Sequence, residues 1–394
     1  MGRLACLLSL ILCAIPSLAS QRVTVAEVRQ FLSGQIGEKD GAIAKKLAGL
    51  ELSERVSSAE LAQWQQENSG PRTRQALIVL ADSSQFLDLP ADEVTTADQP
   101  DADTQRKIMA LAVEYVAKTL PRLPNFFATR ETTRFVNLPQ EEHASDAEWK
   151  RERPMRFLDQ VKATVLVRDG KEVVDPGKVK NQNQGLFNKG IVTEGVFGPI
   201  LGIVMVDSAR GTLSWAHWEK APSGRIAVFR YSVPQDKSHY TVRWCCTTLK
   251  QEGNRFYLKP FQKYVAYHGE FGIDPDSGVI LRIAIVADLE PSDPILKSSI
   301  AVEYGPVEIG GRTYSCPIKS VAYSLQTVVL FGWGHPVGDT SERPKEVSLN
   351  DVVFGDYHQF RSESRILTAA EAAGIQPEAG SEPAPPPATA KPQD

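Results

Sequence analysis

The sequence predicts an α+β protein, a helical N-terminal region followed by one large antiparallel β-sheet. Three observations carry that expectation. Helix caps and apolar spacings of three and four recur up to Pro121. From Pro124 to about Leu330 the pattern changes to alternation interrupted by turn residues. No helical pattern is legible between the alternating segments, so neighbouring strands are expected to run antiparallel, without βαβ crossovers. The hairpin signals call for at least six strands.

The helical region spans residues 20–120. Thr24 and Glu27 have capping-box spacing, and Val25, Val28, Phe31 and Leu32 then share one helical face. Asp40 is placed to cap a second helix carrying Ile43, Leu47 and Leu50. Ser57 and Glu60 form another box ahead of Leu61 and Trp64, and Pro71 opens a helix through Leu77, Leu80 and Ala81. The last helix runs from near Asp103 through Ile108, Leu111, Ala112 and Tyr115 until Pro121 stops it. These helices are expected to pack on one another.

Residues 121–366 form the β domain. Thr164 to Val167, Asp169-Gly170 and Glu172 to Val174 read as a hairpin with a two-residue turn. Leu213 to Lys220 and Arg225 to Val233 flank a second turn, and His239 to Thr247 adds a strand. Tyr264 to Ile273 and Val279 to Leu289 surround Asp274-Pro275-Asp276-Ser277-Gly278. Ala301 to Ile309 alternates, Gly310-Gly311 turns, and Thr313 to Leu325 returns. The polar stretch from Asp175 to Lys189 and the charged stretch from Glu141 to Arg156 around Trp149 read as loops.

The two ends differ in composition from the body. Arg3, the apolar run Leu4 to Ile15, Pro16 and Ser17-Leu18-Ala19 have the order of a secretory signal, residues 1–19, cleaved after Ala19. The run is short of the ~20 residues that span a bilayer, and no later apolar run reaches that length, so no transmembrane segment is expected in the mature chain. Export to the periplasm or beyond follows. Residues 367–394 shift to Pro, Ala, Glu and Ser, and the six prolines from Pro377 onward leave nothing to bury; this tail is expected to be disordered.

A formal charge of −4, from 44 basic and 48 acidic residues, excludes a general nucleic-acid binder, which needs a basic surface. Two of the five cysteines leave with the signal. In an oxidising compartment, one disulfide from Cys316 to Cys245 or Cys246 is the expectation, since adjacent strand residues point to opposite faces. Catalytic signatures are absent: no Gly-x-Ser-x-Gly, phosphate loop or His-Glu-x-x-His. The glycines from Gly332 to Gly338 have the wrong spacing for a dinucleotide loop, and Pro336 blocks the helix such a loop must open. Asp274 to Gly278 lacks the glycine and glutamate of a calcium loop and reads as a turn. The six histidines form no local ligand set, so neither metal nor cofactor is expected. His268 and Glu270 share a strand face and are the candidate general base and acid; Trp215, His217 and Glu219 form a similar row.

The order of hairpin residues from His268 to Val321 resembles the C-terminal part of outer-membrane lipoprotein carriers. It runs Ile273-Asp274-Pro275-Asp276-Ser277-Gly278, Val279-Ile280-Leu281-Arg282, Val302-Glu303-Tyr304, Ile309-Gly310-Gly311-Arg312 and Cys316-Pro317-Ile318. The chain is also similar to secreted bacterial proteins that join such a sheet to an N-terminal helical segment. The resemblance implies a curved, incomplete-barrel-like sheet whose concave apolar face holds lipid chains. It transfers no ligand-contact residue, because such contacts are generic apolar side chains.

Three functions are compatible with these readings. The first is a non-enzymatic binding or scaffolding protein holding an acyl chain, a lipoprotein or another hydrophobic partner in the sheet. The second is a secreted hydrolase whose site assembles only in three dimensions, around His268 and Glu270. The third is an envelope interaction module that uses the helices and the tail as contacts.

Overall fold

The computed structural model describes residues 21–35, 37–137, 153–173, 196–221, 224–253, 255–328, 330–332, 335–337 and 345–359. The expected signal segment with its cleavage point, most of 141–156, the stretch 175–189 and the tail 367–394 lie outside the described residues.

The N-terminal module contains β1 (Gln21–Val23), α1 (Val25–Ser33), α2 (Asp40–Leu47), β2 (Leu50–Leu52), α3 (Ser58–Glu67) and α4 (Pro71–Ser83). The Thr24–Glu27 capping box is formed at α1, and the Ser57 side chain caps α3. Asp40 does not cap α2. Its carboxylate accepts from the Arg72 and Thr73 amides and so caps α4, whose own N-cap, Gly70, has no side chain to do it. β1 and β2 pair in parallel, a small sheet absent from the sequence reading. Val28, Leu47, Trp64 and Leu77 fill the core of this module.

α5 (Ala102–Thr119) corrects the expectation that all the helices pack together. Ile108, Ala112 and Val116 bury against the large sheet, in a core separate from that of α1–α4. Gly278, at a positive φ in its turn, lies so close to Leu111 and Ala112 that a Cβ there would meet helix backbone at 2.4 Å.

The large sheet has ten strands, all paired antiparallel, and it does not close. They are β3 (Phe126–Val136), β4 (Arg156–Arg168), β5 (Lys171–Val173), β6 (Thr212–Ala221), β7 (Gly224–Val233), β10 (Ala266–Ile273), β11 (Ile280–Asp288), β12 (Ile295–Ile309), β13 (Arg312–Thr327) and β16 (Lys345–Gln359). Their spatial order is β5-β4-β3-β16-β13-β12-β11-β10-β7-β6. Asp169 and Gly170 both take positive φ in the β4–β5 turn, as a two-residue primed turn requires. Among the described residues, β8 (Thr241–Glu252) pairs only with β9 (Arg255–Tyr264), and β14 (Leu330–Gly332) with β15 (His335–Val337). Tyr264 therefore ends β9 and does not begin the strand of His268.

The two faces of the sheet are covered differently. One face carries Phe126, Phe229, Tyr267, Phe271, Ile283 and Val302, and packs against α5 and a helix the sequence did not reveal, α6 (Pro199–Ser208). The opposite face meets the α1–α4 module across a seam that is apolar where Ile78 and Val79 of α4 pack on Phe135, Val321 and Leu349, and charged beyond them. Between the two bodies the chain runs along the edge strand β6, where Thr95 N–H donates to Trp218 O and Lys220 N–H to Glu93 O. That segment covers part of an otherwise unpaired edge. Among the described residues, no helix is long and apolar enough to cross a membrane.

Candidate functional site

Period-two geometry turns cross-strand partners to the same face. On the face toward the N-terminal module, Arg282 lies opposite Glu303, and Glu303 opposite Lys319. The adjacent row places Arg230 opposite Glu270, and the next Ser232 opposite His268. This charged face is closed from above by α3, α4 and the chain that follows α4. Arg55 pairs with Glu219, Ser58 donates to both Glu303 carboxylate oxygens, Arg282 donates to the Gln85 carbonyl at 2.6 Å, and Lys319 lies 2.7 Å from Asp82.

Burial sets the electrostatics. It pushes the Asp82 carboxyl up to about 8; Lys319 opposes that shift and Asp351 adds to it. Burial also opposes ionisation of Glu219, yet the hydrogen bond from His217 and the charges of Arg55 and Arg282 outweigh it and hold the carboxyl down at about 2. Arg282 falls to about 10 through burial and the like charge of Arg55. The Nε groups of Arg55 and Arg282 are buried without a hydrogen-bond partner, as is Asp82 Oδ2, while Asp351 Oδ1 faces the Lys319 ammonium at 3.3 Å.

At one end the seam opens into a cleft of about 360 Å³. Phe86, Leu87 and Asp88 form its wall on the N-terminal side. Thr212 and Ser214 of β6, Arg230 and Ser232 of β7, His268 and Glu270 of β10, and Arg282 and Val286 of β11 form its floor. The two residues singled out from sequence thus do line one cleft, but they are not paired with each other. Glu270 receives Arg230 Nε at 2.9 Å and has Arg282 at 3.6 Å. His268 Nδ1 lies 2.8 Å from Asp288 Oδ1. Glu270 is thus engaged by two guanidinium groups and not by His268.

The Trp215–His217–Glu219 row is not a row. A bulge between Trp215 and His217 turns Trp215 to the apolar face, against Phe229 and Trp218, and leaves His217 and Glu219 on the polar face. Cys316 is a free, buried thiol. It sits in β13 under α5 and α6, whereas β8 belongs to a separate two-stranded ribbon; the side chains of Cys245 and Cys246 lie outside the described residues.

Around Cys316 the enclosed space beneath the sheet is about 20 Å³, room for one water. An open groove of about 410 Å³ lies beside the C-terminal end of α5, lined by Tyr115, Lys118, Arg122 and Tyr314. No group of three or more His, Cys, Asp or Glu able to hold a metal occurs among the described residues.

Ser232 and Asp288 escaped sequence reasoning because each becomes a neighbour of His268 only through the strand order β7-β10-β11. The chain matches no family model, no curated protein and no solved structure.

Proposed function

We propose that this chain is an exported binding protein whose ligand occupies the cleft between the N-terminal module and the sheet. The observation that carries the reading is the cleft itself, about 360 Å³ lined by Thr212, Ser214, Arg230, Ser232, His268 and Glu270 and walled by Phe86 and Leu87. The cleft suits a small ligand with a polar part for Arg230 and Glu270 and a short apolar part for Phe86, Leu87 and Val286. Its charged groups already have partners, so a ligand needs only to exchange hydrogen bonds there and strands no buried charge.

The test is a backbone amide titration by NMR with a panel of dipeptides, monosaccharides and short acyl esters. Shifts at Ser232, Gly269 and Glu270 that disappear in Arg230→Ala support the proposal. Panel-wide silence at these amides, or shifts confined elsewhere, overturns it.

A second reading keeps the hydrophobic ligand implied by the resemblance to lipoprotein carriers. It is favoured by α6, which is apolar on nearly every side and leaves Val206 52 % exposed. An acyl chain would take the place of α6 against the sheet. Native mass spectrometry of protein purified from its own envelope distinguishes the two, since only the second reading retains a lipid mass.

A further inference from the structure

We propose that Ser232, His268 and Asp288 form an acyl-transfer site in this cleft, cleaving small esters. The proposal rests on the cleft being the ligand site and adds the chemistry performed there. His268 stands on the middle strand of three, with Ser232 directly opposite it on β7 and Asp288 on β11 to the other side. All three residues lie on the face toward the cleft, and each is exposed.

Asp288 engages Nδ1 of the imidazole at 2.8 Å, which fixes the ring and leaves Nε2 as the free base. Cross-strand partners have Cβ atoms about 5 Å apart, so Ser232 Oγ comes within reach of the ring by rotation about χ1. The hydroxyl is not hydrogen-bonded to the imidazole at rest, and such contacts commonly close only around substrate. Ser232 Oγ has no other partner among the described residues that would have to be broken first.

The surrounding groups complete the chemistry. Thr212 is the next residue in the same cross-strand row, and Ser214 and Arg230 form the row beside it. Their hydroxyls and the remaining guanidinium N–H groups of Arg230 can face the oxygen on which charge develops. Arg230 commits Nε to Glu270 and one Nη to Asp88, out of the five N–H bonds a guanidinium carries. Phe86, Leu87 and Val286 can take a short acyl group, and about 360 Å³ excludes a long one.

In the first half-reaction Ser232 Oγ forms a bond to the ester carbonyl carbon while its proton passes to His268 Nε2. The C–O bond to the leaving alkoxide then breaks, and the imidazolium returns the proton to that oxygen, releasing the alcohol. Water repeats the sequence on the acyl-serine: its proton goes to Nε2, the acyl–Oγ bond breaks, and Oγ recovers the proton. The products are a carboxylic acid and free enzyme, with no oxidant or cofactor consumed.

The experiment uses the full chain, a fluorophosphonate probe with peptide mapping, and hydrolysis of p-nitrophenyl acetate. The expected result is phosphonylation at Ser232, abolished in Ser232→Ala, with hydrolysis reduced 100-fold or more in Ser232→Ala and His268→Gln. Asp288→Asn should lower kcat with KM little changed and move the pH–rate profile, which a purely structural role would not do. Because all three side chains are exposed, the variants should keep wild-type unfolding midpoints. Equal labelling of wild type and Ser232→Ala, or hydrolysis that survives both substitutions, overturns the acyl-transfer site. If that happens while ligand-induced shifts at Gly269 and Glu270 persist, the binding reading stands and only the chemistry falls.

Discussion

Arg55, just before α3, donates to Glu219 of β6 across a joint in which the two side chains are 6 % and 9 % exposed. The pair ties the N-terminal module to the edge of the sheet. Removing one partner leaves a buried charge uncompensated, which costs about 3–5 kcal/mol. Glu219→Gln should lower the unfolding free energy by that amount in guanidinium denaturation. Arg55→Met with Glu219→Leu should recover most of it, because an apolar pair has no charge to desolvate. A Glu219→Gln variant as stable as wild type would show that the joint does not depend on this pair.

Asp82 makes stability depend on pH in an unusual direction for a carboxylate. The groups facing it are Lys319, at 2.7 Å, and Asp351, whose own oxygen is 3.3 Å from the same ammonium, with Glu303 also acting on Lys319. Burial raises the folded-state value to about 8, above the ordinary 3.8, so between these values the folded chain holds more protons than the unfolded one. Stability from this group is therefore complete below pH ~4 and is lost as pH rises toward 8, with a slope of at most about 1.4 kcal/mol per unit. Denaturation midpoints at pH 5 and pH 8 should differ in wild type and converge in Asp82→Asn. A wild type whose midpoint rises over this range would contradict the assignment.

The legibility of this chain follows the range of its interactions. The Thr24–Glu27 box and the Ser57 cap on the Glu60 amide act over three residues, and the Asp169-Gly170 turn over two, so all three were readable. Asp40 is an equally good cap residue, but its amides are at Arg72 and Thr73, more than thirty positions away. α6 was invisible for another reason. Ile200, Leu201, Val204 and Met205 are buried, Ile203 is half-buried between them, and the helix therefore lacks the one-sided period that marks a surface helix. In the site, the shared face of His268 and Glu270 follows from alternation alone. Their partners Asp288 and Arg230 are set by register, and Trp215 left its row through a bulge that alternation does not announce.

Cys316 should be chemically silent in the folded protein. Burial pushes its thiol up to about 12, so the reactive thiolate is scarce at neutral pH and the packed helices block access as well. Iodoacetamide at pH 8 should leave Cys316 unmodified in the native state and alkylate it fully in guanidinium, read by peptide mapping. Fast native alkylation would mean that α5 and α6 open readily over this strand. Recovery of a Cys316 disulfide peptide would restore the bridge expected from sequence.

Gly269 separates the cleft from the apolar core. A Cβ there would lie 1.8 Å from the Ala284 carbonyl oxygen and 2.7 Å from the Tyr231 hydroxyl, which itself donates to that carbonyl at 2.7 Å. Gly269→Ala must push β10 from β11 or break the tyrosine bond, so it should destabilise by about 1–3 kcal/mol. Tyr231→Phe removes the hydroxyl but not the clash with backbone. The double variant should consequently remain nearly as unstable as Gly269→Ala alone; full rescue by Tyr231→Phe would show that the hydroxyl, not the strand spacing, is what requires glycine.

Asp207 fastens the last turn of α6 to the sheet. Its side chain is fully buried, and its carboxylate accepts from the Tyr267 hydroxyl at 3.0 Å and from the His239 amide at 2.8 Å, with His239 Nδ1 at 2.6 Å. Asp207→Ala strands the Tyr267 hydroxyl inside the core, where an unmet donor costs about 1–3 kcal/mol. The loss falls on the α6 contact, because the ladder of β10 with β7 and β11 is made by backbone groups that the substitution does not touch. Amide hydrogen exchange should therefore accelerate in residues 199–208 of Asp207→Ala while amides of β10 and β11 keep their protection, and Asp207→Asn, which still offers an acceptor, should show a smaller effect. The same variant weighs the second reading of function: if an acyl chain takes the place of α6, loosening that helix must raise the affinity for a fatty-acid probe. Unchanged affinity in a variant whose α6 demonstrably exchanges faster would remove the sheet's apolar face as a ligand site.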